Sequence, residues 1–100
     1  MLKHIVMWKL KEFAEGKTKA ENALIMKESL ERLVGIVPEI ISLQVGINEK
    51  EPDMAYDAVL ISTFANAEAL ARYKVHPEHV KVKEYIHSVL ESSVSVDFEC

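Results

Sequence analysis

The chain has 100 residues, of which 49% are hydrophobic and 28% charged, and its formal net charge is −4. This length predicts one domain over residues 1 to 100 with a single modest core, and no apolar run approaches the roughly 20 residues that span a bilayer. Because the lysines are interleaved with acids and form no basic stripe, we expect a soluble globular protein with neither a membrane nor a nucleic-acid partner.

The first two elements are a strand and a long helix. Residues 2 to 11 alternate in polarity, which is typical of a strand, and one face carries Leu2, His4, Val6, Trp8 and Leu10. Thr18 followed three residues later by Glu21 is a capping-box pattern, which predicts that a helix begins there. Apolar residues then recur at helical spacing until Gly35 and Pro38 close the segment.

Two further strands follow. Residues 39 to 46 (EIISLQVG) are rich in β-branched side chains and end at a glycine, which predicts the second strand. Residues 47 to 55 form a polar connection that contains proline. Residues 56 to 64 (YDAVLISTF) read as a third strand that is apolar on both sides, with Ala58 and Leu60 on one face and Val59 and Ile61 on the other.

The last part of the chain predicts a broken helical region and a final strand. Asn66 is a favoured N-cap residue and predicts a helix over residues 67 to 73. Pro77 cannot continue that helix, but it suits the first position of a new helix that runs to about residue 89. Residues 92 to 100 (SSVSVDFEC) alternate again and predict the fourth strand.

The order βαββαβ predicts an α+β, ferredoxin-like fold with a four-stranded antiparallel sheet and helices on one face. The face without helices would then expose an apolar patch that soluble monomers seldom tolerate. We therefore expect a homodimer in which the sheet faces of two copies bury each other.

The segments LKHIVMWKLK and YDAVLISTFANAEALARYKVHPEHVKVKEYI resemble the stress-responsive α/β-barrel domain (Dabb) family. The most specific feature of this resemblance is HPEHV after a helix that contains a tyrosine. The resemblance covers nearly the whole chain and implies a dimeric α+β barrel.

One plant branch of that family contains cofactor-independent polyketide cyclases, and the resemblance implies which residues would act here. The matching positions are His4 on the first strand, Ala58 on the third, Tyr73 on the helix and His79 in the His-Pro-x-His element. Ala58 stands where the cyclases have a histidine, so one polar group of four is absent and a different substrate is expected.

The residue chemistry points to a pocket in each subunit. A neutral histidine can accept a proton from an acidic carbon, and a tyrosine hydroxyl can donate a hydrogen bond to a carbonyl that becomes an enolate. We predict His4, Tyr73 and His79 as candidate catalytic residues. The predicted ligand-binding residues are Val6, Trp8, Ala58, Leu60 and His76. The expected ligand is a small apolar or aromatic molecule.

Several alternatives stay open. His76 and His79 are three residues apart, but zinc needs three or four protein ligands, so we predict no metal site and no cofactor. Some plant relatives resemble this chain in the turn LVGIVP and hold a hard cation there. His87 is expected to be solvated.

Because the only cysteine is the terminal Cys100, no disulfide framework is possible, and we predict a cytoplasmic protein.

Two classes of function remain. The first is a small dimeric protein that binds an apolar metabolite. The second is a cofactor-independent enzyme with a histidine–tyrosine acid–base pair, either a cyclase-like lyase or, by fold analogy, a quinol monooxygenase. A binding protein needs only a cavity, whereas an enzyme also needs a histidine whose pKa and contacts are tied to Tyr73.

Overall fold

The computed structural model describes residues 1–49 and 55–100, and in these ranges the chain forms an α+β, ferredoxin-like fold. The helices are α1 (Lys19–Glu31), α2 (Ala67–Val75) and α3 (Pro77–Val89). The strands are β1 (Leu2–Leu10), β2 (Phe13–Ala14), β3 (Lys17–Thr18), β4 (Ser42–Ile47), β5 (Ala58–Phe64) and β6 (Leu90–Glu99). The long strands form one antiparallel sheet in the order β4-β5-β1-β6. The predicted fold and the order of its long strands and helices are therefore confirmed.

The register of the central strand β1 shows which residues lie on each face of the sheet. On the inner face, Val6 lies opposite Leu60 of β5 and Ser95 of β6. On the outer face, Ile5 lies opposite Ile61 and Val96. Successive side chains of a strand point to opposite sides, so this register fixes every other position. The apolar outer face consists of Ile5, Met7, Val59, Ile61, Val94, Val96 and Phe98.

The core lies between the inner face of the sheet and the helices. Met26 of α1, Phe64 of β5 and Val89 of α3 are each 0% exposed, and Trp8 of β1 is 5% exposed. These side chains come from four elements that are distant in sequence, so burying them together holds the helices on one face of the sheet. No helix of the described ranges is both long and apolar enough to cross a membrane.

The predicted helix starts are confirmed by their hydrogen bonds. At α1, the amide of Glu21 donates to Thr18 Oγ1 (3.3 Å), and the amide of Thr18 donates to Glu21 Oε1 (2.9 Å), which completes the capping box. At α2, the amide of Ala69 donates to Asn66 Oδ1 over 2.9 Å. These hydrogen bonds satisfy amide groups that the helices themselves leave without partners.

The break between α2 and α3 lies at His76, as the proline predicts. His76 has an extended backbone (φ −61°, ψ 133°), and Pro77 is the first residue of α3. The residue before a proline is disfavoured in helical geometry, and proline itself lacks the amide that a continuing helix would need. The chain therefore changes direction between Val75 and Pro77.

Element boundaries differ from the sequence-based prediction in the first half. α1 ends at Glu31 and not near Gly35, because residues 32 to 37 form tight turns in which Gly35 has a φ of +88°. That left-handed conformation favours glycine and cannot belong to a right-handed helix. The second predicted strand, residues 39 to 46, begins later, at Ser42, and extends to Ile47.

Two further differences concern connections. The predicted polar connection over residues 47 to 55 lies largely outside the described residues. The short hairpin of β2 and β3 was not predicted. Its turn consists of Glu15 (φ 52°) and Gly16 (φ 72°), and two residues with positive φ suit a tight hairpin.

A buried asparagine fastens this hairpin to the helices. Asn22 of α1 is 0% exposed, and its side-chain amide donates to the carbonyl of Ala14 over 3.0 Å. Its side-chain oxygen accepts a hydrogen bond from the hydroxyl of Tyr85 on α3. The asparagine therefore connects the hairpin, α1 and α3 while both ends of its amide are satisfied.

Candidate functional site

A cleft of about 260 Å³ opens between the inner face of the sheet and helices α2 and α3. Its buried lining residues are His4, Trp8, Leu30, Leu60, Tyr73 and Ile86. Val6, His79 and Leu90 are half-buried in its walls, and Lys74, Lys83, His87 and Ser93 are its exposed lining residues. The base of the cleft is therefore mainly apolar, and its mouth is polar.

Tyr73 of α2 lines this cleft and carries a buried hydroxyl group without a partner. The residue is 1% exposed and its ring packs against Phe64, with ring centroids 5.0 Å apart. Among the described residues, the Tyr73 hydroxyl has no hydrogen-bond partner, either as donor or as acceptor. Burial raises the pKa of Tyr73 to about 12, so the hydroxyl stays protonated at neutral pH. It is therefore available as a hydrogen-bond donor.

His79 lies beside Tyr73, two residues after α3 begins at Pro77. The two ring centroids are 4.2 Å apart, with an interplanar angle of 43°. His79 Nδ1 lies 3.0 Å from the carbonyl oxygen of Lys74. A carbonyl can only accept, so this nitrogen carries the proton and donates it. In the neutral ring, Nε2 is then left with a lone pair.

The surroundings of His79 favour that neutral form. Burial lowers the pKa of His79 from its ordinary value, and the positive charges of Lys83 and Lys74 lower it further. The hydrogen bond to the Lys74 carbonyl acts in the opposite direction, but burial is the larger effect. The ring is therefore neutral at pH 7 and can accept a proton or a hydrogen bond.

His4 reaches the same cleft from β1 and is held by an acid that the sequence analysis missed. Its Nδ1 lies 2.5 Å from Asp97 Oδ1, and Asp97 is its direct partner across β1 and β6. Only 9% of the His4 side chain is exposed, against 39% of the Asp97 side chain. A carboxylate bound to one ring nitrogen fixes the orientation of an imidazole, so Asp97 positions His4.

The position of Asp97 in the sequence indicates which face of the strand it occupies. It alternates with Val94, Val96 and Phe98, so it belongs to the inner face of the last strand. In a βαββαβ fold the first and last strands are neighbours, and their register decides which pairs meet. That register can be read only from the folded sheet.

The predicted site residues divide into two groups. The cleft brings together the three candidate catalytic residues and three of the predicted binding residues, Val6, Trp8 and Leu60. Ala58 is buried on the inner face opposite Trp8, but it is not among the residues that line the cleft.

His76 also lies outside the cleft lining. Its Nδ1 accepts a hydrogen bond from the amide of Glu78 over 3.1 Å, so the ring caps the start of α3. His87 is exposed, as predicted, but it also lines the cleft. Lys74 and Lys83 line it too, which was not predicted because exposed lysines look alike in a sequence.

No group of three or more histidine, cysteine, aspartate and glutamate side chains that could hold a metal ion occurs in the described part of the chain. The polar groups of the cleft are imidazoles, a phenol, a hydroxyl and lysine amines. This set can donate and accept hydrogen bonds and can transfer protons.

A sequence model of the family described as Stress Responsive A/B Barrel Domain matches residues 2–100. The fold is similar to that of a dimeric protein of unknown function and ferredoxin-like fold from Bacteroides fragilis NCTC 9343. The two chains are 29% identical with a TM-score of 0.78, and the match covers 99% of this chain and 95% of the other.

Two other solved structures share the fold at lower identity. A dimeric ferredoxin-like protein of unknown function from Thermobifida fusca YX is 19% identical, with a TM-score of 0.83 and coverage of 99% of this chain and 90% of that one. A hydroxynitrile lyase from Passiflora edulis is 15% identical, with a TM-score of 0.79 and coverage of 97% and 90%. No curated protein matches the chain.

Proposed function

The chain belongs to the stress responsive A/B barrel domain family, and we propose that it is a homodimer in which each subunit binds one small organic molecule in the cleft. The ligand is aromatic or polyketide-like and carries a carbonyl or a similar acceptor. It inserts its apolar part against Trp8, Leu60 and Ile86.

The observation that carries this proposal is the unpartnered hydroxyl of Tyr73. Burying a hydroxyl without a hydrogen bond costs about 1–3 kcal/mol, so native proteins rarely keep one without a use. A ligand carbonyl in the cleft would accept this hydrogen bond and recover that free energy. The Nε2 atom of His79, next to Tyr73, supplies an acceptor for a second polar group of the ligand.

The size and lining of the cleft support the same proposal. Small-molecule sites are typically concave, largely apolar and roughly 300–1,000 Å³ in volume, with a few convergent polar groups. The cleft, at about 260 Å³, lies just below that range. A ligand with one or two rings therefore suits it better than a larger molecule.

The homodimer is proposed from the outer face of the sheet. Val94, Val96 and Phe98 are 43%, 55% and 44% exposed there, beside Met7 and Ile61. A contiguous apolar surface of this kind marks an interaction site. The similar protein from Bacteroides fragilis is described as dimeric, which is consistent with a second copy as the partner.

A second candidate function is a cofactor-independent enzyme, and the pairing of His79 with Tyr73 favours it. A neutral His79 would remove a proton from a carbon next to a carbonyl through Nε2, and the Tyr73 hydroxyl would stabilise the enolate oxygen. The enolate carbon would then attack a second carbonyl of the same ligand, and the oxygen of that carbonyl would take the proton back from His79, which completes an aldol-type cyclisation. The reverse sequence, which breaks the same carbon–carbon bond, would be a lyase reaction. His4, oriented by Asp97, would be a second acid or base at the same cleft.

The test compares two tyrosines with the neutral probe 2-naphthamide, whose binding is followed by two-dimensional NMR of the full chain. Tyr73→Phe should weaken binding about fivefold to tenfold, the effect of one lost hydrogen bond. It should leave the free energy of unfolding unchanged or raise it by up to about 1 kcal/mol, because a buried hydroxyl without a partner is removed.

The matched control is Tyr85→Phe, which removes a hydroxyl from a tyrosine outside the cleft. This change leaves the buried Asn22 oxygen without its partner and should lower the free energy of unfolding by about 1–3 kcal/mol. Binding of the probe should not change. Equal affinity of Tyr73→Phe and the unaltered chain, or a probe that shifts no cleft resonance, would overturn the proposal.

A further inference from the structure

The exposed lining residues of the cleft form a basic mouth. Lys83 and His87 follow His79 at intervals of four residues along α3, so the three side chains lie on one face of that helix. Lys74 adds a second ammonium group from the end of α2. Both lysines are exposed and lack an ion pair among the described residues, whereas the neighbouring Lys81 pairs with Glu78 over 3.1 Å.

The acids of this region do not neutralise the mouth. No aspartate or glutamate of the described residues lines the cleft. Asp97 is bound to His4, and Glu78 is bound to Lys81. A chain with a net charge of −4 thus places two unpaired positive charges at the entrance of its mainly apolar cleft. Clefts lined by one sign of charge attract ligands of the opposite sign.

We propose that the cleft selects amphipathic organic anions, with the apolar body of the ligand inside and its anionic group at the mouth between Lys74 and Lys83. This inference rests on the proposed function, because it names the chemical class of the ligand bound in the same cleft. A carboxylate and a phosphate share the required chemistry. The lysine amines bind either group as point charges, while the lysine stems extend the apolar wall.

The position of His79 agrees with this arrangement. Lys83 and Lys74 are close enough to lower the pKa of His79, which places their charges within electrostatic reach of the polar centre of the cleft. A bound anion would therefore lie within reach of the same centre. Because the lysines are exposed, salt should screen their attraction, with a Debye length of about 8 Å at 0.15 M ionic strength.

The experiment uses three matched probes and the full chain. 2-Naphthoate, 2-naphthyl phosphate and neutral 2-naphthamide share one ring system and differ in charge. Dissociation constants are measured by two-dimensional NMR at low salt and at 0.5 M salt. We expect at least one anion to bind about tenfold more tightly than the amide at low salt, with most of that preference lost at high salt.

Two variants test whether the lysines of the mouth cause the preference for anions. The double variant Lys74→Gln/Lys83→Gln should weaken anion binding about tenfold and change amide binding less than twofold. Lys81→Gln removes one positive charge from the other side of α3 and should leave all three affinities unchanged. The ratio of the naphthoate and phosphate affinities identifies which anion the mouth prefers.

The outcomes separate this inference from the proposed function. If all three probes shift cleft resonances with equal affinity, the cleft binds ligands but anion selectivity is wrong. If Lys81→Gln weakens anion binding as much as the double variant, the effect is one of general charge and the mouth is not the cause. If no probe shifts a cleft resonance, both the inference and the proposed function are overturned.

Discussion

At the scale of single residues, the cleft places a tyrosine that stays protonated at neutral pH beside a histidine whose pKa is lowered. Burial is the largest cause in both cases, since it raises the pKa of Tyr73 and lowers that of His79. Burial disfavours the charged form of any group, which is the anion for tyrosine and the cation for histidine. Both side chains are therefore neutral at pH 7, as enolate chemistry or ligand hydrogen bonding requires.

We expect His79 to titrate below its ordinary pKa of 6.5. Lys83→Gln should shift its midpoint upward, because a neighbouring positive charge is removed, but not to the ordinary value, because burial remains. Lys81→Gln is the control and should leave the midpoint unchanged. The measurement is an NMR titration of the histidine Cε1–H resonances, and a His79 midpoint at or above 6.5 in the unaltered chain would contradict the description of the site.

The same shift has a defined effect on stability. A folded-state pKa below that of the unfolded chain means that the unfolded chain binds the proton first as pH falls. His79 therefore leaves the free energy of unfolding unaffected above pH 6.5 and lowers it as pH falls below that value. A His79→Gln variant should lose this part of the acid sensitivity.

At the scale of elements, side chains of α1 form hydrogen bonds with the backbone of the edge strand β4. β4 is an edge strand, and the amide and carbonyl of Val45 point away from β5 toward α1. The amide donates to Glu31 Oε2 over 3.1 Å, and the carbonyl accepts from Lys27 Nζ over 2.6 Å. The Lys27–Glu31 ion pair, 2.8 Å long, thus satisfies backbone groups that could otherwise pair with another chain.

Glu31→Ala should lower the free energy of unfolding at pH 7 by about 1 kcal/mol and increase aggregation, because it frees the Val45 amide and breaks the ion pair. The hydrogen bonds from Lys27 and then Val45 lower the pKa of Glu31, so this contribution is present above pH 4.5 and is lost as pH falls below it. Chemical denaturation at pH 7 and pH 3, with light scattering, measures both effects.

Glu28→Ala is the matched control for that variant. Glu28 is exposed on the same helix, and its loss should leave stability and scattering unchanged. An equal effect of both substitutions would assign the change to helix charge and not to the strand edge.

At the scale of the whole molecule, the two faces of the sheet have different roles. The inner face carries the core and the cleft, whereas the outer face is apolar and partly exposed. Ile61 lies in the middle of the outer face, between Ile5 and Gln44 in register, and is 38% exposed. In the proposed homodimer its side chain is buried against the second copy.

Ile61→Lys should convert the dimer into a monomer, because it would bury an ammonium group without a partner at the centre of the interface. Val75→Lys makes the same change at a position 74% exposed on α2 and should leave the dimer intact. Sedimentation gives the oligomeric state and circular dichroism the folded fraction. A folded Ile61→Lys dimer would show that the interface lies elsewhere, and the milder Ile61→Thr covers the case in which lysine prevents folding.

The sequence by itself determined the order of the long strands and helices, the starts of the helices, the break at Pro77 and the inward face of β1. Each of these features depends on residues close together in the chain, such as the Thr18–Glu21 capping box or the alternation from Leu2 to Leu10. Local hydrogen bonds and side-chain periodicity act within a few residues, so a pattern in one dimension is enough to reveal them.

Only the tertiary structure decided which polar groups meet. The pairing of His4 with Asp97 depends on the register of β1 against β6, and the closure of the β4 edge depends on how α1 packs. Whether the hydroxyl of Tyr73 finds a partner, and whether Lys83 faces the cleft or solvent, depends on the rotation of α2 and α3 over the sheet. These are contacts between residues far apart in sequence, and packing the whole core selects them together.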